Sequence, residues 1–126
     1  MSAAEDLQAA AADALRGIGG IGVYDGPPLQ AAAPYAVVEA GPETDWSYKS
    51  GSGREVRIAA SLFDKGERPA RLRAFMGQAE AALDDLASPT GWQLVTMQFL
   101  RSRVVRDSKG VWAGVVEYRA RLLRAG

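Results

Sequence analysis

The sequence predicts an α+β domain in two layers: a mainly antiparallel sheet of four to five strands, covered on one face by two helices. Three observations lead there. Two stretches repeat apolar residues at helical spacing, one strictly alternates, and the last third reads as a long β-hairpin. The 126 residues fit one domain spanning 1–126, large enough to bury a core without staples.

The first helix runs from Ser2 to Arg16. Seven of these residues are alanine, Ser2 is placed to cap, and Glu5 follows three positions later. Leu7, Ala11, Ala14, Leu15 and Ile18 form the apolar stripe, and Gly17, Gly19 and Gly20 stop the helix. Ile21–Asp25 reads as a short strand broken by Gly26-Pro27-Pro28, with Leu29–Ala33 as loop. Pro34 then opens a buried strand over Tyr35–Ala40.

Gly41–Gly53 reads as an irregular, glycine-bearing loop that also carries Trp46 and Tyr48. Two large aromatics in such a loop either fold back onto their own domain or anchor an assembly, where Trp and Tyr are favoured. Arg54–Phe63 alternates, with Val56, Ile58, Ala60 and Leu62 on one face. The second helix spans Pro69–Leu86, with Leu72, Phe75, Met76, Ala79, Leu83 and Leu86 recurring at three- and four-residue steps.

Trp92–Arg106 and Val111–Leu123 form the hairpin across Asp107-Ser108-Lys109-Gly110. Centring the turn on Ser108 and Lys109 sets Arg106 against Val111, Val95 against Leu122, Met97 against Ala120 and Phe99 against Tyr118. This register brings apolar residues together on the core face. The other face pairs Leu100 with Glu117 and Gln98 with Arg119. It also puts Arg101 and Arg103 on one face of their strand, with Arg119 and Arg121 on the opposite face of its partner.

The chemistry such a chain can support is narrow. It has no cysteine and no histidine, which removes disulfides, thiolate sites, the commonest general base and the commonest metal ligand. The glycine run 17–22 follows a helix instead of opening one and lacks the Lys-Ser/Thr ending of a phosphate loop. Asp84 and Asp85 are neighbours on a helix and point about 100° apart, so they read as a solvated face. Glu39, Glu43 and Asp45 are sparse for a cation site. No catalytic residue, cofactor or metal is expected, and the chain reads as a non-enzyme. It shows no targeting segment and no membrane span, which places it in the cytoplasm where it is made.

Net charge is zero, from 15 basic and 15 acidic residues, so the whole molecule has no general attraction to nucleic acid. The charges are segregated. Arg101, Arg103, Arg106, Lys109, Arg119, Arg121 and Arg124 crowd the last third, and acidic residues dominate earlier. The arginine-bearing hairpin leaves open a small nucleic-acid-binding module as an alternative. The candidate contact residues are Trp46, Tyr48, Arg101, Arg103, Arg119 and Arg121.

The order of features resembles the small tail-completion or tail-terminator proteins of long-tailed phages and phage-like gene transfer agents. The resemblance covers nearly the full chain. It rests on the glycine-stopped first helix, Val23-Tyr24-Asp25 before Pro27-Pro28, and the Pro34-Tyr35-Ala36-Val37-Val38 strand. The Trp- and Gly-bearing loop, Leu62-Phe63-Asp64, and Tyr118-Arg119-Ala120-Arg121-Leu122 after a glycine turn complete it. It implies a ring of identical subunits, typically six, that caps the tail tube, ends its polymerisation and meets a head-side connector. It implies residence in the tail of the finished particle, with no catalysis and no cofactor. Another connector or stopper protein of the head–tail junction shares these features.

Overall fold

The computed structural model describes residues 2–125. Its elements are α1 (Ala3–Leu15), β1 (Gly22–Asp25), β2 (Tyr35–Asp45), β3 (Gly53–Lys65), α2 (Ala70–Asp84), β4 (Trp92–Arg106) and β5 (Val111–Arg124). The five strands form one sheet in the order β1-β2-β3-β5-β4. Only β1 and β2 run parallel. The α+β, two-layer architecture expected from the sequence is therefore present.

Both helices lie on one face. α1 packs over β1, β2 and β3, and α2 over β3, β5 and β4. The core is what the periodicities select. Leu7, Ala11 and Leu15 come from α1, and Leu72, Phe75, Met76, Ala79 and Leu83 from α2. Val56, Ile58, Ala60 and Leu62 come from β3, and Val116, Tyr118, Ala120 and Leu122 from β5. α2 comes so near β5 that a Cβ on Gly114 would lie 2.4 Å from Met76 Sδ.

The irregular loop after residue 40 is shorter than the sequence suggests, because β2 continues to Asp45. A bulge between Ala40 and Glu43 absorbs the extra residue, with Gly41 at φ 138°. One extra residue reverses which way later side chains point. Glu43 thus turns to the helix side, where its Oε1 accepts from the Ala4 N–H at 2.8 Å and satisfies an orphan donor of the first turn of α1. Ser2 Oγ accepts from Glu5 N, as the cap spacing predicts. Gln8 holds the same junction, donating to Asp25 Oδ1 and accepting from Ala40 N.

The hairpin register is correct in the middle and shifted at both ends. Met97 faces Ala120, Gln98 faces Arg119 and Phe99 faces Tyr118. At the turn, Arg106 pairs with Trp112, not Val111. The Asp107 carboxylate accepts from Lys109 N and Val111 N, and Gly110 takes φ 81°, so the loop closes one residue wider. Bulges between Leu94 and Thr96 and between Phe99 and Arg101 make Leu94 the partner of Leu122, and Arg101 the partner of Glu117. Val95 and Phe99, expected in the core, are exposed, Val95 because it is the extra residue of a bulge and Phe99 because β4 is the outermost strand of the sheet.

Two carboxylates have structural work the sequence did not disclose. Asp84 Oδ1 accepts a 2.6 Å hydrogen bond from the Tyr118 hydroxyl, so it is not simply a solvated helix residue. Asp64 is 3% exposed and grips Arg71 at both oxygens, 2.7 and 2.5 Å, while also accepting from Lys65 N. The Arg71 guanidinium holds the Asp64 carboxyl below its ordinary value against the opposing effect of burial. A carboxyl depressed on folding stabilises the fold fully above its unfolded pKa of about 3.9, and that contribution is lost as pH falls through the folded value. Asp64→Asn should lower stability by about 1–3 kcal/mol at pH 7. Its urea midpoint should also fall less than the wild type's between pH 5 and pH 2.5; equal slopes for the two proteins would exclude this linkage.

Candidate assembly surface

Among the described residues no second layer covers the face of the sheet opposite the helices. Its residues alternate with the core residues, so period two dictates its content. Tyr35, Val37 and Glu39 come from β2, and Glu55, Arg57, Ala59, Ser61 and Phe63 from β3. Val115, Glu117, Arg119 and Arg121 come from β5.

The bulge at Leu100 decides the rest. Phe99 stands opposite Tyr118 on the helix side, and without the bulge Arg101 and Arg103 would follow it there. The extra residue turns them over, and Arg101 lands opposite Glu117 and Arg103 opposite Val115. Arg101, Arg103, Arg119 and Arg121 therefore share the open face, where the sequence reading had divided them between two.

Three of the four are tied down. Arg101 Nε donates to Glu117 Oε2 at 2.8 Å. Arg121 Nε donates to Glu55 Oε1 at 3.0 Å, and Arg119 lies 3.8 Å from the same oxygen while donating to Gln98. The Arg121 guanidinium also sits 5.3 Å from the centroid of the Trp46 ring. Arg57 and Arg103 have no carboxylate within ion-pair distance among the described residues.

The two loop aromatics separate in role. Trp46 is half-buried, held by Arg121 and by the pairing of its N–H with the Gly53 carbonyl at 2.9 Å. Tyr48 is 56% exposed at the tip of the turn, its ring lying over Gly51. Of the two readings of this loop, Trp46 follows the folding back onto its own domain and Tyr48 remains presented.

The end of the face near β1 is apolar, and this the sequence reading missed. Tyr35 stacks on Phe63 at 4.8 Å, and Tyr24 meets Tyr35 edge-on at 6.0 Å. Pro27, Pro28 and Leu29 overhang this cluster around a hollow of about 270 Å³, with Leu29 wholly exposed. The available signal was the alternation itself, which puts Tyr35 and Phe63 out of phase with the core positions.

Nothing on this surface assembles chemistry. Glu39 faces outward, Glu43 caps α1, and Asp45 accepts from Ser47 Oγ at 2.7 Å, so the three do not converge. Among the described residues no group of three acidic ligands is arranged to hold a metal. Among the described residues no helix is long and apolar enough to cross a membrane. A stacking platform for nucleic acid would need Phe99 beside the arginines. Phe99 instead meets Tyr118 edge-on at 5.7 Å on the other face, and most of the guanidinium groups are engaged by Glu55, Glu117 and Gln98.

Comparison with known proteins adds two findings. The family model described as "Tail completion protein gp17" matches residues 3–123. Among solved structures, a chain from the "Virion of native gene transfer agent (GTA) particle" is similar, with a TM-score of 0.77 and 29% identity over 98% of this chain and 99% of that one. No curated protein matches.

Proposed function

Because the chain belongs to the tail completion protein gp17 family, a structural family of phage tails, we propose that it forms a ring, of six copies, that caps the tube of a phage-like tail. The ring ends tube polymerisation and presents its far side to the head-side connector. The subunit is made in the cytoplasm and remains in the tail of the finished particle.

The observation that carries this reading is the open sheet face. A small domain that leaves most of one side of its sheet uncovered, lined by stacked aromatics at one end and by arginines and Trp46 at the other, has a surface suited to protein contact. Trp46, Tyr48, Arg101, Arg103, Arg119 and Arg121 are the proposed contact residues. The similar chain of the gene transfer agent virion, matched almost end to end, supports the same placement.

Light scattering during gel filtration, with and without purified tail-tube protein, tests it. A ring alone, or a monomer that becomes a ring on the tube, is the expected result, and a monomer indifferent to the tube would sink the proposal. Tyr48→Ala should leave the urea midpoint unchanged and weaken association with the tube or with neighbouring subunits by about tenfold or more, since an exposed aromatic at a contact is a typical hot spot. Trp46→Ala should do the same, at some loss of stability through Arg121. Unchanged assembly of both variants would remove this loop from the interface.

A further inference from the structure

The surface of α1 that faces away from the sheet is the electrostatic counterpart of the open sheet face. Its ridge is Ala9 and Ala10, with a hollow on either side. One, of about 250 Å³, is rimmed by Glu5 and Asp25; the other, of about 230 Å³, by Asp6 and Asp13. Arg16 is the single basic residue of this helix and its cap, and it is taken up by Asp13 at 2.6 Å. On the open sheet face the five arginines 57, 101, 103, 119 and 121 outnumber the carboxylates Glu39, Glu55 and Glu117. Arg57 and Arg103, the two without an acidic partner among the described residues, stand out from it and are exposed.

We propose that the open sheet face of one subunit docks on the α1 surface of a second copy, with Arg57 and Arg103 reaching the carboxylate-rimmed hollows beside Ala9 and Ala10. An alanine floor with acidic rims suits an arginine, whose apolar stem packs on methyl groups while the guanidinium meets carboxylates in a forked geometry. The two surfaces are different and lie on opposite layers of the domain, so the contact is head-to-tail. A head-to-tail contact propagates from copy to copy and closes into a ring when its rotation divides the circle. A strand-paired contact is disfavoured, because of the two edge strands β4 is interrupted by two bulges and β1 is only 4 residues long. This inference rests on the ring reading above and specifies which two surfaces meet.

The test is a charge swap between two variants. Arg57→Glu/Arg103→Glu makes the sheet face acidic, and Glu5→Arg/Asp13→Arg makes the helix face basic. None of the four residues is buried, and far-UV circular dichroism with urea midpoints checks each fold. Masses are read by light scattering, with and without tail-tube protein, and arrest of tube growth is scored in parallel. Each variant alone should lose subunit association by about a hundredfold, with weaker loss at high salt. An equimolar mixture of the two should recover the wild-type mass, because every junction in an alternating ring then joins opposite charges.

Wild-type mass for either variant alone overturns the proposed contact. So does a mixture that stays dissociated, which would assign these charges to the tube or the connector. If the wild-type protein arrests tube growth while the swap fails, the surfaces are wrong and the ring function stands. If the wild type neither self-associates nor arrests tubes, both readings fall.

Discussion

Tyr118→Ala is expected to cost about 3–5 kcal/mol, a large share of the 5–15 kcal/mol that holds a domain of this size, and to lower Tm by roughly 10–20 °C. Tyr118 is 1% exposed at the centre of β5, between β3 and β4 and beneath α2. It touches Phe99 edge-on, and its hydroxyl reaches both the Asp84 carboxylate and the Glu80 carbonyl at the C-terminal end of α2. Removing the ring empties a site that strands and helix both line. Tyr118→Phe separates packing from polarity and should cost only about 1 kcal/mol, because Asp84 is exposed and water can replace the lost donor. Burial, followed by the neighbouring Asp84, holds the phenol above its ordinary pKa. A raised folded pKa means that this stabilisation is complete below about pH 10 and fades at higher pH. Thermal melts of the three proteins at pH 8 and pH 11 measure both effects. A Tyr118→Ala protein that melts within a few degrees of wild type would contradict the packing.

Gly53→Ala is expected to cost about 1–3 kcal/mol and to weaken assembly beyond what the stability loss explains. A Cβ at this position would lie 2.4 Å from the Trp46 carbonyl oxygen and 2.9 Å from Leu123 Cδ2. The oxygen is backbone and cannot swing aside, so the strand pair must separate. Trp46 moves with it, away from Arg121. Gly51→Ala is the control. The atoms nearest its Cβ belong to the side chain of Tyr48, from 2.6 Å, and that exposed side chain can rotate away at little cost. Urea midpoints and light scattering on both variants should show Gly53→Ala impaired in each and Gly51→Ala impaired, if at all, in assembly alone. Equal stability of the two variants would mean that the start of β3 is looser than described.

Much of this architecture was legible in the residues. Leu7, Ala11 and Leu15 recur at helical steps, Val56 to Leu62 at strand steps, and both sets are buried where periodicity puts them. Phe99 against Tyr118 followed from matching apolar positions across a hairpin. The bulges were not legible. An inserted residue at Gly41-Pro42, Val95 or Leu100 leaves only a shift of phase, which the mixed polar and apolar residues beyond each point do not reveal. Every error about faces follows from those three points: the division of the arginines, the burial of Val95, and the end of β2 at Ala40. Phe99 fails for a different reason. Its face was right, but nothing in a hairpin says which of its strands will be the outermost. Asp84 was hidden because helical spacing cannot tell which of two adjacent aspartates will find a hydroxyl from another element.

The extra residue at Leu100 has a consequence for how such a surface changes over generations. Deleting the Leu100 codon would make Arg101 the neighbour of Phe99 in a regular strand and leave it opposite Glu117 on the open face, whereas a register slip that drew Leu100 into the ladder would turn Arg101 and Arg103 to the helix side with no change of sequence. The chemistry of this face is thus governed by whether Leu100 is bulged or paired, and not by composition alone. Two relatives with the same arginines in alignment could present unlike surfaces to the same neighbour if one pairs the residue that the other bulges.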